Sequence, residues 1–198
     1  MKKFLLFLLS IAFVFLMIGV AGATVYTFQP SDPDLGDLDH SRYYTWGIDF
    51  GIPDSERITG ASLFFNDIRN WDNNPNDLYV NLLDSATVGV IAGWDFEAGG
   101  NYFAGQGVEL FHWEDLSSSP QDLTYNFSDS DISFLESAIG NDGNLGFGFD
   151  PDCHFYNNGI TFSVETTTAP VPEPATMLLL GTGLIGMAGA SRKKFGRK

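Results

Sequence analysis

Lysine is absent between Thr24 and Thr168, and only three arginines, Arg42, Arg57 and Arg69, fall in that span. The same stretch holds 24 of the 25 acidic residues, which sets its formal charge at −21. Such a surface repels nucleic acid phosphates and anionic lipid, which excludes both as partners of this region, and it attracts divalent cations. An excess of Asp also keeps an extracellular domain soluble. Cysteine is nearly missing: Cys153 stands alone, so no disulfide can close within the chain. Histidine occurs three times, at His40, His112 and His154, with none of the paired spacing of a zinc motif. Aromatic residues, in contrast, are abundant, with 18 Phe, 7 Tyr and 4 Trp. A disordered acidic chain lacks them, so a packed domain is expected.

Short β-rich runs recur along this span, each bounded by Gly, Pro, Asn or Asp. They predict strands over 24–29, 43–50, 58–65, 78–83, 87–92, 108–113, 123–127, 145–149 and 160–165. In the last, Ile160, Phe162 and Val164 alternate with Thr161, Ser163 and Glu165, the period-2 pattern of a half-buried strand. One helix interrupts the series. Ser128 suits its N-cap, Asp131 follows three residues on, Ile132, Leu135 and Ile139 share a face, and Gly140 suits the C-cap. Many antiparallel strands with one short helix predict a single β-sandwich domain of jelly-roll type over 24–168. Residues 166–170 read as a polar linker.

The two ends have a different character. Lys2 and Lys3 precede an apolar stretch from Phe4 to Val20, and Ala21-Gly22-Ala23 has the small-residue pattern of a signal peptidase site. Residues 1–23 therefore read as a secretory signal peptide, with an uncleaved anchor as the alternative, and either way the middle of the chain is exported. At the other end, Val171-Pro172-Glu173-Pro174 precedes an apolar run from Ala175 to Ala190 and a basic tail, Ser191 to Lys198. Two prolines hold the first part extended and open to a processing enzyme. The run of 16 residues spans about 24 Å as a helix, somewhat less than a roughly 30 Å hydrocarbon core. Cations after it favour the cytoplasmic side and so place the preceding residues outside the membrane. A buried C-terminal helix is the competing reading. The spacing Gly181-x-Gly183-x-x-Gly186 is not a dinucleotide loop, because no strand precedes it.

Residues 171–198, with these three parts in order, resemble the PEP-CTERM sorting signal of bacterial proteins. The resemblance implies processing by an exosortase-type membrane protease near Val171, Pro172, Glu173 and Pro174. It also implies a transient membrane anchor over 175–190 and a final place at the cell surface or in extracellular polysaccharide.

Candidate chemistry in the middle is sparse. Asp32, Asp34, Asp37 and Asp39 place four carboxylates in eight residues, oxygen donors of the kind Ca²⁺ takes, though without the frame of an EF-hand loop. Asp72-Asn73-Asn74-Pro75-Asn76-Asp77 is a further donor loop or simply a turn. Trp71 lies among polar residues and is the candidate carbohydrate contact, whereas each of Trp46, Trp94 and Trp113 suits a core equally well. Cys153 reads as a buried inert thiol or as one that pairs with another chain. No carboxylate pair stands out for glycoside hydrolysis. Three functions are thus in play: a non-enzymatic exported matrix protein, a carbohydrate-binding module with a Ca²⁺-stabilised loop, and an exported hydrolase.

Overall fold

The alternation read from the last strand is realised in the fold: Ile160, Phe162 and Val164 are buried while Glu165 is exposed. The computed structural model describes residues 22–31, 33–96, 99–168 and 179–183. Gly22–Thr168 forms one compact unit. Its strands are β1 (Ala23–Phe28), β2 (Asp37–Leu38), β3 (Arg42–Asp49), β4 (Glu56–Asn70), β5 (Asp77–Leu83), β6 (Gly89–Trp94), β7 (Val108–Glu114), β8 (Gln121–Asn126), β9 (Asn144–Pro151), β10 (Phe155–Tyr156) and β11 (Ile160–Thr168). A 3-10 turn spans Pro33–Gly36 and a helix, α1, spans Asp129–Asp142. The signal-peptide and sorting-motif expectations, including Val171, Pro172, Glu173 and Pro174, lie outside the described residues apart from 22–23 and a helical turn at 179–183. No helix among the described residues is long and apolar enough to cross a membrane.

The strands make two antiparallel sheets. One has the order β1-β11-β4-β10-β2, with β8 on the other edge of β4, and the second has the order β6-β3-β9-β5-β7. Their inward faces share one core: Phe147 of the second sheet meets Phe162 of the first with ring centroids 4.9 Å apart, and Phe149 meets Phe65 at 6.1 Å. Strand β4 is much longer than its sequence pattern predicts because Asp67 takes a left-handed φ of 51° and shifts the register between Phe65 and Ile68. Asp tolerates that conformation better than a branched residue does. Beyond the bulge the strand continues past β11 to pair with β10.

Two expectations need correction. The segment 166–168 is not a linker: Thr166, Thr167 and Thr168 continue β11 against β4, and Thr166 is fully buried. The helix passes Gly140 and ends at Gly143, whose φ of 76° provides the left-handed cap and whose N–H reaches the Ile139 carbonyl. Its start is as read: Ser128 Oγ accepts from the Asp131 N–H and Asp131 Oδ2 accepts from the Ser128 N–H at 2.8 Å, a reciprocal capping box. Leu135 and Ala138 carry its buried face. Ser128→Ala removes one half of this cap and lowers stability by about 1 kcal/mol, to be read as a reduced urea midpoint with unchanged slope.

Candidate functional site

Two short strands that sequence patterning does not reveal set up the most distinctive cluster of side chains. β10 pairs with β2 through Phe155↔Leu38 and with β4 through Phe155↔Asn70. Phe155, Leu38 and Asn70 point inward, with at most 1% of their surface exposed. Side chains alternate along each strand, so the neighbouring positions turn outward in rows. One row holds Asp37, Tyr156 and Arg69, with the Arg69 guanidinium 5.4 Å from the Tyr156 ring. The next, at the strand ends, holds Asp39, His154 and Trp71, where the Trp71 N–H donates to the His154 carbonyl at 3.0 Å.

The chain turns immediately after Asp39. The Arg42 N–H donates to the Asp39 carbonyl at 3.1 Å, and the Asp39 N–H donates to the Tyr44 hydroxyl at 3.0 Å. This turn swings His40 to the same side as Asp39, so Asp39 Oδ1 lies 3.1 Å from His40 Nδ1 and 3.0 Å from His154 Nε2. The two imidazoles meet edge to face at 5.0 Å. Although both nitrogens are near, neither hydrogen-bonds Oδ1, which is closed to solvent and has no hydrogen-bond partner. Cys153, the preceding residue, is a half-buried free thiol that accepts from the Trp71 indole N–H at 2.9 Å. Trp71 is 53% exposed, and its ring lies 6.3 Å from the His154 ring. On the far side of the turn, Arg42 sits 4.6 Å over the ring of exposed Trp94, which stacks with exposed Phe96.

The outward face of the second sheet forms a separate polar cluster. Tyr79 of β5 pairs with Asp150 of β9 and with His112 of β7, and the His112 ring stacks on Tyr79 at 4.1 Å. The segment after β6 lies over this face. Asn101 donates to Asn81 Oδ1 and to Glu109 Oε2, each at 2.9 Å, and the Tyr102 ring stacks on Tyr43 at 3.8 Å. Phe103 fills the space above Gly148, where a Cβ would come within 2.7 Å of the ring. Covered in this way, Asp150 is fully buried, and its Oδ2 accepts from the Tyr102 N–H at 2.7 Å. Burial pushes the Asp150 carboxyl up to about 7, Asp95 and Asp152 add to the rise, and the Tyr102 N–H opposes it. Its Oδ1 has no hydrogen-bond partner, and a protonated Asp150 can donate to the adjacent Asp95 carboxyl. Burial likewise raises Asp152, against the Gly100 N–H.

The structure sorts the sequence candidates. Trp71 is exposed as expected, whereas Trp46 is in the core. Of the four Asp proposed for Ca²⁺, Asp39 faces two histidines and Asp37 is exposed on β2; Asp32 and the side chain of Asp34 lie outside the described residues. The Asn-rich loop is a turn that satisfies itself: Asp72 Oδ1 accepts from the Asn74 N–H at 2.9 Å and from Asn76 Nδ2 at 3.0 Å, and Asn70 donates to the Asn74 carbonyl at 2.9 Å. The meeting of His40 with His154, 114 positions apart, has no signal in sequence spacing.

The described unit is thus an acidic, mostly β protein of two antiparallel sheets. Residues 170–193 match the PEP-CTERM protein-sorting motif. The chain carries that signal, which marks it for export, transient C-terminal membrane anchoring and processing by an exosortase-type system. No curated protein matches the chain.

Proposed function

We propose that the protein is a non-enzymatic component of the cell surface or extracellular matrix, whose acidic jelly-roll β-sandwich is delivered by signal peptidase at residues 1–23 and exosortase-type cleavage near residues 171–174. The sorting motif at 170–193 carries this reading. The surface of the 24–168 span suits it: a domain with 24 acids and no lysine stays soluble and resists collapse onto anionic polymers. Purified protein incubated with a broad polysaccharide panel is expected to release no reducing sugar; sustained product release that is lost on replacing one carboxylate would make it a hydrolase.

A second reading, a carbohydrate-binding module, is favoured by the exposed indole of Trp71 in one row with His154 and Asp39. Aromatic faces beside polar side chains suit sugar rings, which present apolar faces and hydroxyl edges. In affinity gels Trp71→Ala is then expected to abolish the retardation given by an extracellular polysaccharide. Equal migration of both proteins in every gel would remove this reading and leave the first intact. Calcium bound by Asp32, Asp34, Asp37 and Asp39 belongs to the same reading, with a melting temperature that rises in Ca²⁺ as its sign.

A further inference from the structure

We propose that Asp39 Oδ1, His40 Nδ1 and His154 Nε2 form a binding site for one divalent transition metal ion of the Zn²⁺ type. Oδ1 lies 3.1 Å from His40 Nδ1 and 3.0 Å from His154 Nε2, and one donor atom from each of the three residues lies within 4.8 Å of the others. A carboxylate oxygen closed to solvent without a hydrogen bond is costly, and here it sits between two imidazole nitrogens that fail to serve it as donors. A cation among the three resolves that deficit.

The donor chemistry selects the ion. Two imidazoles and one carboxylate suit Zn²⁺ and its neighbours in the first transition row, whereas Ca²⁺ and Mg²⁺ take oxygen donors in greater number. Tetrahedral bonds of roughly 2.0–2.1 Å put neighbouring donors about 3.4 Å apart. The contacts of 3.0 and 3.1 Å approach that spacing, and a few tenths of an ångström of side-chain motion open it. His40 is 58% exposed, Asp39 34% and His154 29%, so the cluster lies at the surface and an ion reaches Oδ1 once the exposed His40 ring swings aside. The turn bonds from Arg42 and Tyr44 fix the Asp39 backbone, and the surrounding −21 charge raises the local cation concentration.

The second group of donors, Asp77, His112 and Glu114, makes a poorer site. It has one imidazole, whose Nε2 already contacts Asp77 Oδ1 at 2.8 Å in a hydrogen bond, while Glu114 lies 3.8 Å from the opposite nitrogen. One ion cannot use both faces of one ring.

The consequence is mechanical. β2 is held to β10 by only two residue pairs, and the metal would clip the 37–40 turn to His154 across that seam.

Isothermal titration of the chelator-stripped protein with Zn²⁺ alone tests this. One equivalent is expected to bind and to raise the melting temperature. His40→Ala, at an exposed turn position that leaves the fold intact, and His154→Ala are each expected to weaken binding at least tenfold, with His112→Ala unchanged. Cobalt loading should give the visible absorption of a low-symmetry site, lost in His40→Ala. Undiminished Zn²⁺ affinity in His40→Ala, loss of binding in His112→Ala instead, or displacement of Zn²⁺ by equimolar Ca²⁺ would each overturn the assignment.

Discussion

Phe147→Ala is expected to destabilise the protein by about 3–5 kcal/mol, the usual cost of emptying an aromatic site in a core. Phe147 has no exposed surface and lies where the two sheets meet. Its ring has the rings of Trp46, Phe127, Phe149 and Phe162 within 6.5 Å, drawn from β3, the α1 entry, β9 and β11. No single neighbour can move into the gap without leaving its own contacts, so the cavity stays largely unfilled. Set against a typical total of about 5–15 kcal/mol, such a loss places the variant near its unfolding midpoint at physiological temperature. Chemical unfolding followed by tryptophan fluorescence reads it directly. A loss below about 1 kcal/mol would mean that the sheets do not pack through Phe147.

The second large effect concerns pH. The folded Asp150 holds its proton up to about 7, whereas an unfolded Asp releases it near the ordinary carboxylate value of 3.8. Between those values the native state binds more protons than the unfolded state, so stability falls as pH rises through the window and levels off above it. The direction is opposite to that of a salt-bridged carboxylate. Asp150→Asn retains an acceptor for the Tyr102 N–H and has nothing to titrate. Its melting temperature is expected to equal that of the parent near pH 4 and to exceed it by several degrees at pH 8. Parallel melting curves for the two proteins across pH 4–8 would show that Asp150 ionises freely in the fold.

Much of this fold is legible in residue order. Alternation in Ile160–Glu165 identifies a strand, and its apolar members Ile160, Phe162 and Val164 are buried as the pattern requires. Ser128 and Asp131 announce the helix start, because a capping box is local chemistry. The helix end is less legible: Gly140 and Gly143 both suit a cap, and continued packing through Ala138 takes the chain to the second. The two-residue strands β2 and β10 are invisible, since two residues cannot display a period.

The same limit hid the histidine centre. Asp39 is conspicuous in an acidic stretch, and its company there suggests oxygen-only ligation. Only the register Leu38↔Phe155 sets Asp39 across from His154, and only the turn closed by Arg42 brings in His40. Trp71 was legible as exposed because polar residues surround it, but its place beside His154 depends on the Asn70↔Phe155 pairing. Asp150 gave no hint of its burial, because the segment that covers it, with Tyr102 and Phe103, crosses from another part of the chain.

Export and sorting of an acidic globular domain is the claim on which the functional account rests, and intact-mass spectrometry of the protein from its native host tests it most directly. The account predicts a chain that lacks residues 1–23 and ends near Val171–Pro174. Recovery of the unprocessed chain, Met1 through Lys198, from the soluble cytosol would contradict it.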